Sequence, residues 1–229
     1  MKRIVMGIAL AAFALLVVPI GAQDVQQKLA AAKEAAARNQ QALRSYSWLE
    51  KTELRLKGEL KNTKVDMSRY GPDGKVQKTP VVEPTPPQKQ RGLKGRIVAN
   101  KTEEMKEELE AAVALIHQYV PPSPDLMQVV MNAGTASISQ AGPGAASLKF
   151  PGYVKKGDAL TLTFDSTVKS LRQIEVNTWL DEPENAVTLK VTMQAMPEGI
   201  NYPGTIVFVL AKRQLEVKMT KSNYQKIAQ

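Results

Sequence analysis

The chain has 229 residues and no cysteine, and its 31 lysines and arginines against 22 aspartates and glutamates give a net charge of +9. The absence of cysteine excludes disulfide frameworks and thiol nucleophiles, and the length allows one domain with a sizeable core. The basic residues are interleaved with acids, which is typical of ordinary solvated faces. A contact with anionic components of a cell envelope is the alternative interpretation.

The first 22 residues have the order of a secretory signal peptide. Lys2 and Arg3 precede an apolar stretch from Ile4 to Val18, and the small residues Gly21-Ala22 follow. The stretch is shorter than the roughly 20 residues that cross a hydrocarbon core. We therefore expect cleavage near Ala22, a periplasmic or secreted location, and one mature domain over 23–229. An uncleaved N-terminal anchor is the alternative, and export argues against nucleic acid as a partner.

A helix and then a strand are predicted at the start of this domain. Residues 24–43 are rich in Ala, Gln, Lys and Glu, and they begin with Asp24, a residue type that caps helices. Residues 48–61 then alternate between apolar and charged, which predicts a strand of an antiparallel sheet with one buried face. The apolar parity of this strand contains Trp48, Thr52, Leu54, Leu56 and Leu60.

Two further strands complete a first group. Residues 63–70 are predicted as a strand with Val65 and Met67 facing inward. Gly71-Pro72-Asp73-Gly74 predicts a turn, because glycine supplies positive φ and proline presets the turn angle. The strand that follows is predicted over 75–79.

The middle of the chain carries loops and helices. Four prolines make 80–92 a Pro-rich loop, either a connector or a binding loop. An apolar stripe predicts a helix over 102–119, with Asn100 as its cap. A shorter helix is expected over 123–132, since a Ser-Pro pair opens it. The Gly/Ala-rich segment 133–146 is expected to be a flexible joint.

The last third is predicted to be almost entirely strand. About six short alternating segments between Ser147 and Met219 are joined by tight turns, as in an antiparallel meander. Two strand groups with helices between them predict an α+β fold, namely a curved antiparallel sheet or incomplete β-barrel of about nine strands covered by helices.

The search for catalytic chemistry is negative. The single histidine, His117, lies on a predicted helix with no cysteine or HExxH pattern that would build a zinc site. No nucleophile elbow or phosphate-binding loop is present. The carboxylates Asp165, Glu175, Asp181 and Glu182 lie in turns or on polar strand parities, where solvation is the ordinary state. We therefore expect no enzyme activity, no metal and no cofactor.

A set of apolar side chains is predicted to face inward from the strands. In most proteins such residues form an ordinary core, whereas in a curved sheet that does not close they line a cavity for an apolar ligand. The candidate lining residues are Trp48, Leu54, Leu56, Val65, Met67, Leu162, Phe164, Ile174, Val176, Leu189 and Val191.

The order of elements resembles a known family. An export signal is followed by a helix ending in Leu43-Arg44-Ser45-Tyr46, by a strand opening at Trp48, and by a meander with Leu215-Glu216-Val217 and Asn223-Tyr224. This layout resembles exported bacterial proteins related to the periplasmic carriers of outer-membrane lipoproteins (LolA/LolB-like). The resemblance implies an incomplete β-barrel under helices that shelters lipid or lipoprotein acyl chains. The alternative is a non-catalytic interaction or scaffold protein of the envelope.

Overall fold

The structure is a computed structural model that describes residues 34, 37–81, 93–165, 167 and 170–227. Of 93–102 it describes the helical backbone alone. The predicted signal peptide, the start of the first predicted helix and most of the Pro-rich loop lie outside these residues. Among the described helices, none has the length and apolar character needed to cross a membrane.

Ten strands within the described residues form one open antiparallel sheet, and helices accompany it. The strands are β1 (Tyr46–Leu56), β2 (Glu59–Tyr70), β3 (Val76–Pro80), β4 (Ser137–Gln140), β5 (Ala145–Pro151), β6 (Ala159–Asp165), β7 (Leu171–Trp179), β8 (Ala186–Ala195), β9 (Asn201–Leu210) and β10 (Leu215–Lys226). Their order across the sheet is β3-β2-β1-β10-β9-β8-β7-β6-β5-β4. The first strand therefore pairs with the last, which joins the two predicted strand groups into one sheet.

The hairpin between β1 and β2 corrects two predictions. Residues 48–61 do not form one strand, because Lys57 (φ 55°) and Gly58 (φ 79°) make a two-residue turn of the kind that joins twisted strands. A bulge then shifts the register, since Arg55 pairs with Leu60 whereas Leu54 pairs with Asn62. A one-residue shift exchanges the two faces of a strand.

The inward orientation predicted for Val65 and Met67 is consequently wrong. These residues pair with Lys51 and Leu49, on the face opposite to Trp48, and Met67 is 41% exposed. Without the bulge, the hairpin register would have placed Met67 opposite Trp48.

The helices differ from the predictions at their starts. Helix α1 is helical over 37–43, and α2 (Leu93–Ile116) begins before the predicted cap and runs through Asn100. Helix α3 (Pro124–Asn132) is confirmed, with Ser123 accepting a hydrogen bond from the backbone N–H of Leu126 at 3.4 Å. The predicted joint 133–146 is wrong in part, because it contains the edge strand β4.

The main core lies between the sheet and the helices α2 and α3. On this face, directly paired apolar side chains form a row that crosses seven strands. A second row runs beside the first, two residues away along each strand. Helix α2 contributes Ala112 and Ile116 to this core, and α3 contributes Met127 and Val130. The first row consists of Leu54, Val217, Phe208, Leu189, Val176, Leu160 and Phe150.

A buried hydrogen-bond network fixes the end of α2 to the sheet. The hydroxyl of Tyr119, which is fully buried, donates to Oδ2 of Asp158 at 2.5 Å and lies 2.9 Å from Oγ1 of Thr178. The same Asp158 oxygen accepts the backbone N–H groups of Val154 and Lys155 at 3.1 and 2.8 Å. Burial, followed by the hydrogen bond to Asp158, raises the pKa of Tyr119.

We expect Tyr119→Phe to lower the free energy of unfolding by about 2 kcal/mol, because a hydrogen bond to a carboxylate is lost and Asp158 stays buried. Urea denaturation measures the difference. Tyr202→Phe is the control, since the Tyr202 hydroxyl bonds Gln194 at an exposed position. Equal effects of the two substitutions would contradict the anchoring role of Tyr119.

Candidate functional site

We call the side of the sheet that faces α2 and α3 the helix-covered face. Among the predicted lining residues, eight lie on this face within the main core or against it. Val65 and Met67 lie on the opposite face, and Trp48 lies on the helix-covered face outside the main core, against Tyr70 and Tyr224. The eight are Leu54, Leu56, Leu162, Phe164, Ile174, Val176, Leu189 and Val191.

Burial divides the helix-covered face into a filled part and a partly covered part. On β6 and β7, Leu160 and Val176 have no exposed surface, so side chains fill the space there. On β1, β9 and β10, the apolar side chains of Leu54, Ile206 and Val217 are only partly buried. We call these three residues the apolar strip. It lies beside Phe208 and Leu215 of β9 and β10, which are buried.

A second feature lies on the same face toward the start of β1. Trp48 is directly opposite Ser68, and Glu50 is directly opposite Asp66, so the four side chains form a square on two neighbouring strands. All four are at most 3% exposed. We call this square, with the rings around it, the polar–aromatic cluster.

Tyrosine rings surround Trp48. The ring of Tyr224 stacks at 5.5 Å between centroids with an interplanar angle of 20°, and Tyr70 is tilted at 5.4 Å. The ring centroids of Tyr202 and Tyr224 lie 4.2 Å apart. Burial raises the pKa of Tyr70 and of Tyr224, so both hydroxyls stay protonated at neutral pH. A bulge in the pairing of β1 with β10 accompanies this arrangement, and Asn223 has a φ of 53° there.

Lysines compensate the two buried carboxylates. Glu50 is paired with Lys78 of β3, and Nζ of Lys221 of β10 lies 4.0 Å from the other Glu50 oxygen. Oδ2 of Asp66 pairs with Nζ of Lys64 at 3.0 Å. Nζ of Lys221 also lies 5.4 Å from the ring centre of Trp48, within cation–π range. Three cations thus face two carboxylates.

Three polar atoms of the cluster form no hydrogen bond with the described residues. Nε1 of Trp48, Oδ1 of Asp66 and Oγ of Ser68 are buried and have no hydrogen-bond partner within the described part of the chain. Buried polar atoms are nearly always paired in native proteins, so three unpaired atoms on one square call for an explanation. Together they offer one fixed donor, one fixed acceptor and one hydroxyl that can act as either.

Sequence reasoning missed Glu50, Asp66 and Ser68. One signal was present, because Glu50 interrupts the apolar parity that begins with Trp48. Asp66 and Ser68 gave no signal, since their face depends on the bulge in β2.

The other candidate groups lie apart from the cluster. His117 is exposed on the turn after α2, and Asp181 and Glu182 are exposed as well. Asp165 pairs with Arg172, and Glu175 accepts a hydrogen bond from Asn177 at 3.0 Å. In the described ranges, no three His, Asp or Glu side chains are grouped so that they could hold a metal ion.

Comparison with known proteins gives one weak structural match. No protein-family model and no curated protein matches the sequence. The chain is similar to the crystal structure of a DUF1329 family protein from Desulfovibrio piger, with 8% sequence identity and a TM-score of 0.37. The match covers 87% of this chain and 93% of that one.

The position of Lys221 gives a pH prediction. Burial lowers the pKa of Lys221, although the nearby Glu50 carboxylate opposes the shift, and Lys78 adds to it. In the unfolded chain the pKa of a lysine is about 10.4. At pH values between the lowered pKa and this one, the unfolded chain binds more protons than the folded chain. The contribution of Lys221 to the free energy of unfolding therefore rises with pH across that alkaline range.

We expect Lys221→Met to remove this rise. Urea denaturation at a series of alkaline pH values measures it as the difference between the wild type and the variant. Lys221→Arg should also lose the rise, because an arginine stays charged in the folded and the unfolded chain throughout the range. Parallel curves for the wild type and Lys221→Met would contradict the assignment.

Proposed function

We propose that this chain is an exported protein that binds or carries a lipid or another apolar ligand on its helix-covered face. The observation that carries the proposal is the apolar strip, whose side chains are only partly buried although they continue the rows of the core. An acyl chain laid on the strip would bury apolar surface on both sides, and each buried methylene contributes about 0.8 kcal/mol.

The anchoring of α2 is consistent with this role. Its C-terminal end is fixed by Tyr119, and Arg213 in the β9–β10 turn pairs with Glu108 in the middle of the helix. The apolar strip lies on the two strands that this turn connects and on β1 beside them. A ligand on the strip would therefore lie near the ion pair between Glu108 of the helix and Arg213 of the sheet turn.

The predicted export supports the same proposal. A predicted signal peptide followed by a sheet with an apolar helix-covered face fits a protein that meets lipids outside the cytoplasm. The resemblance in element order to the lipoprotein carriers points the same way. The ligand class that we propose is an amphiphile with at least one acyl chain.

Lipid analysis of the purified protein tests the proposal directly. Full-length protein is expressed with its export signal, purified without detergent and extracted with organic solvent, and the extract is analysed by mass spectrometry. We expect co-purifying lipid and saturable binding of a fluorescent fatty-acid probe. A lipid-free protein that also fails to bind the probe would overturn the proposal.

A matched pair of substitutions locates the binding surface. Val217→Gln places an amide in the apolar strip and should weaken binding of the probe about tenfold, because a polar group is buried without a partner. Val209→Gln is the control, since Val209 of β9 pairs with Glu216 and lies on the opposite face of the sheet. Thermal melts verify that both variants fold. Equal affinity in the two variants would contradict binding on the strip.

A further inference from the structure

We propose that the polar–aromatic cluster binds an aliphatic hydroxyl group, which makes the ligand an amphiphile with a hydroxylated head group such as glycerol or a sugar. This inference rests on the proposed function, because the acyl chain of that ligand would occupy the apolar strip. The cluster and the strip share one face, with Trp48 six residues before Leu54 on β1. At the rise of a strand, that spacing is about 20 Å.

The unpaired atoms match a hydroxyl group. A hydroxyl can donate its proton to Oδ1 of Asp66 while it accepts the indole N–H of Trp48 and the hydroxyl proton of Ser68. It would thereby satisfy all three atoms that have no partner among the described residues. The register places Trp48 directly opposite Ser68, and Asp66 lies two residues before Ser68 on the same face.

Charged groups fit this place less well. A phosphate or carboxylate has no proton for Oδ1 of Asp66 and would be repelled by that carboxylate. An ammonium group cannot accept the N–H of Trp48, and it would meet Lys221 at the same ring. The carboxylates are already compensated by Lys64, Lys78 and Lys221, so the cluster does not require a charged ligand.

The rings complete the site. Trp48 and Tyr224 are stacked, and Tyr70 packs against Trp48 at an angle. Tyr70 and Tyr224 are partly exposed, so the faces of these rings can accept the C–H side of a polyol, whereas Trp48 is 2% exposed and contributes its N–H. This combination of ring faces and hydroxyl-matched polar atoms favours a sugar or glycerol over a simple alcohol.

The test uses three compounds on the full-length protein, and two of them compete with the fluorescent fatty-acid probe. Decyl glucoside carries both the tail and the hydroxyls, methyl decanoate carries the tail alone, and glucose carries the hydroxyls alone. We expect decyl glucoside to bind more tightly than methyl decanoate. Glucose is added in a separate titration that follows the indole N–H signals of the two tryptophans by NMR.

Two conservative variants remove single partners. Trp48→Phe keeps an aromatic ring and loses the N–H, and Ser68→Ala loses the hydroxyl. Each should weaken decyl glucoside about five- to tenfold and change methyl decanoate less than about twofold. Met67→Leu is the matched control, because Met67 lies between Asp66 and Ser68 in sequence but on the opposite face.

The outcomes separate the two proposals. Methyl decanoate binding without any preference for decyl glucoside, or variants that affect both equally, would overturn the hydroxyl site and leave the apolar strip intact. Under that result the three atoms hold only water. Glucose that binds alone and depends on Trp48 and Ser68 supports the hydroxyl chemistry and identifies a free sugar as its source. If none of the three compounds binds, both proposals fail.

Discussion

The register of β2 against β1 decides what the helix-covered face contains. One extra residue in β2, between the pairs Arg55–Leu60 and Leu54–Asn62, turns Asp66 and Ser68 toward Trp48 and Glu50. In the register of the hairpin turn, Val65 and Met67 would occupy these positions, and Glu50 would be the one charged side chain of the square. Because a strand has a period of two, a single inserted residue thus converts an extension of the core into a buried polar group.

Such a polar group is costly unless its charges are compensated. Glu50 and Asp66 are buried next to each other, and like charges at that distance would destabilise the sheet. The lysines that relieve this come from three strands, with Lys64 on β2, Lys78 on β3 and Lys221 on β10. The edge strand β3 therefore contributes through Lys78 although its five residues are all exposed. Its role in the fold is electrostatic more than apolar.

Regular alternation explains how much of the fold could be predicted. The six alternating segments predicted between Ser147 and Met219 correspond to β5 through β10, and apolar and polar positions alternate most regularly in β7 and β8. Strand β4 was missed, since its residues are small or polar and entirely exposed. The start of α2 was missed because Asn100 resembles a cap although the helix continues through it. The polar–aromatic cluster required knowledge of a bulge, which no local pattern in β2 announces.

Among the described residues, the polar connections of α2 to the sheet at Tyr119 and at Glu108 are unequal. At Tyr119 the connection is a buried network in which one carboxylate oxygen of Asp158 accepts three hydrogen bonds. At Glu108 it is one ion pair with Arg213, whose side chain is 40% exposed. Exposed ion pairs contribute little to stability, whereas hydrogen bonds to a buried carboxylate contribute substantially. Any separation of α2 from the sheet should therefore begin at Glu108 and pivot about Tyr119. That movement would open the β1–β10–β9 side of the face, where Leu54, Ile206 and Val217 are only partly buried.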